Sequence, residues 1–119
     1  MMKNKVGVDI VHIPRIKKAL ENPTFLKRIY TEKEITYCQN KNNPFNSFAG
    51  IYAAKEAFFK ATGRGVTLAF HEVQVAYSES GAPVYSFNGA MQKYNEKASL
   101  SISHDGEYAV AFCILEENQ

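Results

Sequence analysis

Apolar and polar positions change their period several times along the chain, and each change marks an element. Residues 6–13 (Val-Gly-Val-Asp-Ile-Val-His-Ile) are β-branched and short, and they predict a strand that ends at Pro14. Val6, Val8 and Ile10 then face one way and Gly7, Asp9 and Val11 the other. Pro14 suits the first turn of a helix with Ile16 and Leu20 on its apolar face, closing near Asn22-Pro23. Residues 25–30 are ambiguous between helix and strand. Thr31 followed by Glu34 has the form of a capping box and predicts a short helix over residues 32–38. Residues 40–43 form a polar loop.

Pro44–Thr62 carries the longest helical pattern. Asn43 can cap it, Pro44 fits its first turn, and Gly63 ends it. Such a helix is roughly 27 Å long. Phe45, Phe48, Ile51, Tyr52, Phe58 and Phe59 keep to no narrow stripe and alanines fill most other positions, which predicts a central, buried helix. Residues 73–77 and 84–87 read as strands joined by a turn at Ser80-Gly-Ala-Pro83. Asn88 can cap a helix running to about Lys97. Residues 99–103 and 108–115 read as strands around Asp105-Gly106, a two-residue hairpin signal. The pattern predicts one α+β domain over residues 1–119, with a mainly antiparallel sheet packed on the long helix.

The composition supports that picture. At 119 residues and 45% hydrophobic, the chain has enough apolar surface for one core and too much for disorder. A net charge of +2 is no nucleic-acid signature. Its distribution is uneven: residues 1–60 hold eleven Lys and Arg against five Asp and Glu, and residues 61–119 hold three against seven. Arg15, Lys17, Lys18, Lys27 and Arg28 form a basic patch that would attract an acidic partner, although a solvated helix face explains it equally well. Cys38 and Cys113 match no metal or redox spacing, and Cys113 reads as a small buried thiol. No stretch resembles a secretory signal or reaches the ~20 apolar residues of a membrane span, so the expectation is a soluble, cytoplasmic protein without membrane insertion.

Against this background a few charges need an explanation. Asp9 interrupts an apolar strand, where an ionised carboxylate is costly unless paired, hydrogen-bonded or bound to a cation. Lys55, Glu56 and Lys60 are the only charges between Pro44 and Thr62. Glu56 and Lys60 share a helix face with Ala49 and Ala53, small residues that leave room for something bulky. They also have the spacing of an ordinary helix ion pair. Two isolated carboxylates without a Cys or His cluster suit a hard cation such as Mg²⁺, which takes one or two carboxylates, waters and substrate phosphate. Lys60 could hold a phosphate, and Gly63 and Gly65 would let backbone N–H groups approach it. Ser101 and Ser103 line one face of their strand, and His104 at its end could contact phosphate or assist proton transfer.

Three motifs then stand out in order. They are Gly7-Val-Asp-Ile-Val-His-Ile-Pro-Arg15, Phe48-Ala-Gly-Ile-Tyr-Ala-Ala-Lys-Glu-Ala-Phe-Phe-Lys-Ala-Thr-Gly-Arg-Gly65 and Ser101-Ile-Ser-His-Asp-Gly-Glu-Tyr-Ala109. Together they resemble the bacterial holo-acyl-carrier-protein synthases of the phosphopantetheinyl transferase superfamily, over essentially the whole chain. The resemblance implies the fold of that superfamily and a Mg²⁺-dependent transfer of the 4′-phosphopantetheine arm of coenzyme A to a serine of acyl carrier protein, with adenosine 3′,5′-bisphosphate leaving. It makes Asp9 and Glu56 metal ligands and Lys60 a phosphate contact. Gly63 and Gly65 would line the nucleotide pocket, with His104 nearby. Arg15 would belong to the surface that meets the carrier protein. It also implies a homotrimer with active sites between subunits. Two departures from the family's pattern bear on these roles. Ile51 stands where Arg is usual in Gly-Arg-Phe-Ala-Ala-Lys-Glu, which reassigns carrier contacts toward Lys17, Lys18 or Lys41. His12 stands where Glu is common.

Two other classes compete on the same residues. A Mg²⁺-dependent phosphodiesterase or nuclease would use the same carboxylates without a carrier protein. A non-catalytic module would bind nucleotide or an acidic protein through the basic patch and tolerate Asp9→Ala.

Overall fold

The chain runs β1 (Met2–His12), α1 (Ile13–Ala19), α2 (Pro23–Ile29), α3 (Glu32–Gln39), α4 (Pro44–Thr62), β2 (Val73–Tyr77), β3 (Pro83–Phe87), β4 (Ala98–Asp105) and β5 (Tyr108–Asn118). Single 3-10 segments lie at Phe70–Glu72 and Gly89–Tyr94. This computed structural model describes residues 1–64 and 69–118. One sheet has the order β1-β5-β4 and a second pairs β2 with β3, and the pairings among the described residues are antiparallel. The first and last strands therefore lie side by side, in register from Met2 opposite Asn118 to His12 opposite Tyr108.

α4 crosses the inner face of the three-stranded sheet, and Gly7 marks the crossing. A Cβ at position 7 would sit 1.9 Å from the Ala57 carbonyl oxygen and 2.7 Å from the Ala61 nitrogen. Only a glycine lets the strand lie this close to the helix. The alternation of β1 follows the sequence pattern: Gly7 and Val11 are buried against α4, whereas Val6, Val8 and Ile10 face outward. Ile51, Ala53, Ala54, Ala57 and Phe58 are fully buried, so α4 is the central helix its composition predicts. Phe58 packs its ring against Phe87, Tyr94 and Tyr85 at 4.7, 5.1 and 5.8 Å between centroids.

Lys55 and Glu34 form an ion pair at 3.0 Å with both side chains fully buried. The Lys55 ammonium also donates to the carbonyls of Phe70 and Val73. The Glu34 carboxylate accepts from the backbone N–H groups of Thr31 and Val75. The pair thus binds α3, α4, the first 3-10 turn and β2 at one point, with its donors and acceptors satisfied. Burial lowers the Lys55 pKa, and the charge of Glu34 opposes that shift.

The outer face of the larger sheet is apolar and open. Val8 and Ile10 are 52% and 66% exposed, and their neighbours Phe112 and Tyr108 on β5 are 41% and 50% exposed. Ser99, Ser101 and Ser103 complete this face on β4.

Several boundaries differ from the sequence reading. Residues 23–29 are helical, because Asn22 accepts from the Thr24 N–H and Pro23 occupies the first turn. Asn43 sits at the N-cap of α4 without a side-chain capping bond, and Pro44 alone sets the start. The helix expected from Asn88 to Lys97 is a 3-10 segment ending at Tyr94. Asn95 bonds both backbone groups of Phe87, which pins this stretch to the end of β3, and Glu96 turns into β4 with φ 67°. The β4–β5 loop is Gly106-Glu107, one residue later than Asp105-Gly106, with Gly106 at φ 57° in the first loop position. Among the described residues no helix is long and apolar enough to cross a membrane.

Candidate active site

β1 and α4 bring Asp9, Glu56 and Lys60 together where the helix passes the strand. Asp9 follows Gly7 by two residues and so points to the same face, toward the last turns of α4. Lys60 reaches it: the ammonium donates to Asp9 Oδ1 at 3.0 Å and to the Val8 carbonyl at 3.1 Å. Asp9 is only 14% exposed at its side chain and Lys60 53%, so a mostly buried carboxylate meets a solvent-facing cation. The helix ion pair that the Glu56–Lys60 spacing suggested gives way to this longer-range one.

Glu56 lies one turn before Lys60 and is partly buried. Its carboxyl pKa is raised, first by burial and then by the negative charge of Asp9. Lys60, a hydrogen bond from the Tyr52 phenol, and Arg15 act in the opposite direction. Tyr52 is one further turn back on α4, and burial followed by the Glu56 charge raises its own phenol pKa. Two carboxylates that repel each other, flanked by two cations and a phenol, form a centre that favours an additional positive charge.

Each singled-out position can now be placed. Arg15 is exposed on α1 beside exposed Lys17 and Lys18, and its charge reaches Glu56 and Tyr52. Lys55 separates from its two charged companions and belongs to the core pair with Glu34. Ala49 and Ala53 are fully buried, so they pack the interior and leave no room beside Glu56. Gly63 caps α4 in the left-handed conformation, φ 74°, and a Cβ there would meet nothing among the described residues. Gly65 lies outside the described residues. Ile51 is fully buried, which removes it from any docking surface. His12 projects from the opposite face of β1 to Asp9, where it packs on Tyr108 and contacts Glu107. It is no part of the Asp9 centre.

His104 stands apart as well. The registers align Asp9 with Ala111 and Ala111 with Ile102, so His104 is two strands across and two residues along from Asp9. That separation is roughly 12 Å between Cα positions. Its ring approaches Gly50, near the start of α4. Tyr52 is the residue the sequence reading missed. It counted only as an apolar helix position, although its i, i+4 relation to Glu56 was a readable signal.

Among the described residues no three His, Cys, Asp or Glu side chains gather into a metal cage. The donor set is two carboxylates, which matches a cation that keeps waters and takes substrate oxygens for the rest of its shell. The chemistry of the donors, two hard carboxylate groups beside the Lys60 ammonium, is what favours that fit.

Comparison with known proteins points in one direction. A family model described as the 4′-phosphopantetheinyl transferase superfamily matches residues 5–113. A holo-[acyl-carrier-protein] synthase of Chloroherpeton thalassium is 44% identical, with 97% of this chain and 99% of that protein aligned. The crystal structure of holo-[acyl-carrier-protein] synthase from Neisseria meningitidis superposes with a TM-score of 0.86 at 30% identity, covering 95% of this chain and 98% of that one. A holo-(acyl-carrier-protein) synthase from Bacillus anthracis, solved in complex with CoA (3′,5′-ADP), gives 0.83 at 33% identity over 99% of this chain and 100% of that one.

Proposed function

The chain belongs to the 4′-phosphopantetheinyl transferase superfamily, and on that premise we propose how its own residues carry out the reaction. It is a holo-[acyl-carrier-protein] synthase, with coenzyme A and apo acyl carrier protein as its substrates. The serine hydroxyl oxygen of the carrier attacks the β-phosphorus of the coenzyme A pyrophosphate. The bond from that phosphorus to the bridging oxygen breaks, adenosine 3′,5′-bisphosphate leaves, and the hydroxyl proton is released.

The observation that carries the assignment of residues is the meeting of Asp9, Glu56 and Lys60. Phosphoryl transfer depends on alignment and charge neutralisation more than on covalent chemistry. Lys60, more than half exposed, can exchange its contact with Asp9 for a pyrophosphate oxygen and offset the charge that builds on the leaving side. Asp9 and Glu56 would hold Mg²⁺. That ion, when bound, supplies positive charge to the pyrophosphate. Gly63, where an added Cβ would meet nothing among the described residues, leaves a path for the nucleotide along the end of α4. Arg15 with Lys17 and Lys18 offers a cationic surface to an acidic carrier, next to the reacting centre.

We read residues 1–119 as one catalytic domain that works as a homotrimer. The open apolar face of the β1-β5-β4 sheet is the surface that copies would cover. His104, too far from Asp9 within one chain, would complete the site of a neighbour. The two free cysteines are both buried and unpaired, in keeping with a reducing compartment, and we place the enzyme in the cytoplasm.

The test is intact-protein mass spectrometry of apo acyl carrier protein incubated with the chain, coenzyme A and Mg²⁺. The expected result is a mass gain of one phosphopantetheine arm that EDTA abolishes. Cleavage of coenzyme A without a carrier would instead favour a phosphodiesterase, and a gain indifferent to EDTA would remove the metal assignment.

A further inference from the structure

The Lys60 ammonium has two oxygen partners, and both lie on β1. It donates to Asp9 Oδ1 at 3.0 Å and to the Val8 carbonyl at 3.1 Å. β1 is an edge strand, paired with β5 on one side only, so a carbonyl turned away from the ladder is free to accept. The Asp9 side chain is 14% exposed and forms no other ion pair among the described residues. A carboxylate so placed is costly without a counter-charge, and Lys60 supplies it.

Lys60 is held loosely by comparison with its partner. It sits on the last turn of α4, 53% exposed, with its point charge on a flexible four-carbon stem. A contact this exposed is weak, so a second anion nearby can take the ammonium over at small cost. Lys55, five residues earlier on the same helix, is the opposite case, fully buried among three oxygen partners. A divalent cation at Asp9 and Glu56 would share the Asp9 carboxylate with the Lys60 ammonium. Like charges a few ångströms apart in a partly buried site repel. The ion therefore binds best once Lys60 has moved to the pyrophosphate.

We propose that Lys60 couples the two ligands of this site: without coenzyme A it is the counter-ion of Asp9 and holds cation affinity down, and its transfer to the pyrophosphate releases Asp9 to the ion. Cation and coenzyme A then bind cooperatively, each tightening the other by the same factor. This deepens the reading of Asp9 and Glu56 as ligands and of Lys60 as a phosphate contact, and rests on it.

The experiment titrates Mn²⁺ into the full chain, with and without saturating coenzyme A, and follows loss of the free-ion electron paramagnetic resonance signal. Wild type is compared with Lys60→Met, Lys60→Gln, Arg15→Met and Asp9→Asn, and melting in EDTA confirms that each is folded. Arg15 is the control, a second cation whose charge reaches Glu56 but which makes no ion pair with Asp9. Without coenzyme A, both Lys60 variants should bind Mn²⁺ about tenfold more tightly than wild type, toward the lower end of usual coupling energies. Arg15→Met should change much less, and the tightening that coenzyme A brings should shrink in the Lys60 variants alone. Unchanged or weaker Mn²⁺ binding by the Lys60 variants, with Asp9→Asn impaired in the presence of coenzyme A, overturns the counter-ion role and leaves the ligand assignment standing. An equal gain in Arg15→Met assigns the effect to overall charge and also overturns the proposal. Equal affinity of Asp9→Asn and wild type with coenzyme A present overturns the ligand assignment and the proposal with it.

Discussion

The ammonium of Lys60 lies 3.0 Å from the carboxylate of Asp9, fifty-one residues earlier in the chain. Burial and the charge of Asp9 raise the pKa of Glu56, one helical turn from Lys60. The two carboxylates thus sit in different settings, Asp9 paired across the β1–α4 contact and Glu56 disfavoured in its ionised form, and variants can address them one at a time.

Lys60→Ala should lower kcat/KM for coenzyme A by about a hundredfold or more, the usual effect of losing a charge-stabilising donor. Removing it also leaves the Asp9 carboxylate, 14% exposed, without its cation, so a modest fall in melting temperature is expected alongside. Steady-state kinetics with a thermal melt checks both. Lys60→Arg with wild-type kinetics would mean that charge alone suffices.

Glu56→Gln should inactivate the enzyme while stabilising the metal-free fold near neutrality. The folded-state pKa of Glu56 is raised, so the native protein disfavours its ionised form. Relative stability is therefore greatest below the unfolded-state pKa and falls as pH rises through the folded one. Gln escapes that loss. In EDTA its melting temperature should exceed wild type at pH 7 and converge with it in acid, as scanning calorimetry across pH would show.

Gly7→Ala should disrupt fold and site together. The new methyl would collide with the Ala57 carbonyl and push β1 from α4, at a cost of about 3 kcal/mol. A melting temperature lower by roughly 10 °C or more is expected, with activity lost even below the transition. An unshifted melt would show that strand and helix can separate freely.

Lys55→Met leaves the Glu34 carboxylate buried without its cation and should cost about 3–5 kcal/mol. Denaturant unfolding measures this. Combining it with Glu34→Gln should restore part of the loss, because the buried charge is removed and the amide oxygen still accepts from one of the Thr31 and Val75 N–H groups.

Much of this architecture could be read from residue order. The long helix has the predicted bounds, the capping box of Thr31 and Glu34 is formed, and Asp9 faces the helix as strand alternation requires. What escaped depends on partners distant in sequence. Glu34 reads as a capping-box residue and Lys55 as an isolated charge on a buried helix, and neither points to the other until α3 packs on α4. The segment after Asn88 has a capping residue and helix formers, but Asn95 ties it to Phe87 and local preference yields. His12 and Asp9 are three residues apart and so project from opposite faces, which no motif reports. Tyr52 could have been found, because a phenol four residues before a carboxylate is a local relation.

Lys55 and Glu56 are neighbours, separated by about 100° around the axis of α4. One is locked into the interior by three oxygen partners, and the other faces Asp9. The helix is in effect keyed: its angular setting is fixed from the side away from the chemistry. Any roll of α4 that moved Glu56 relative to β1 would have to drag a buried ammonium out of its socket. Tuning the reaction by small shifts of the helix is therefore closed to this protein, and adaptation is left to the side chains around the rim.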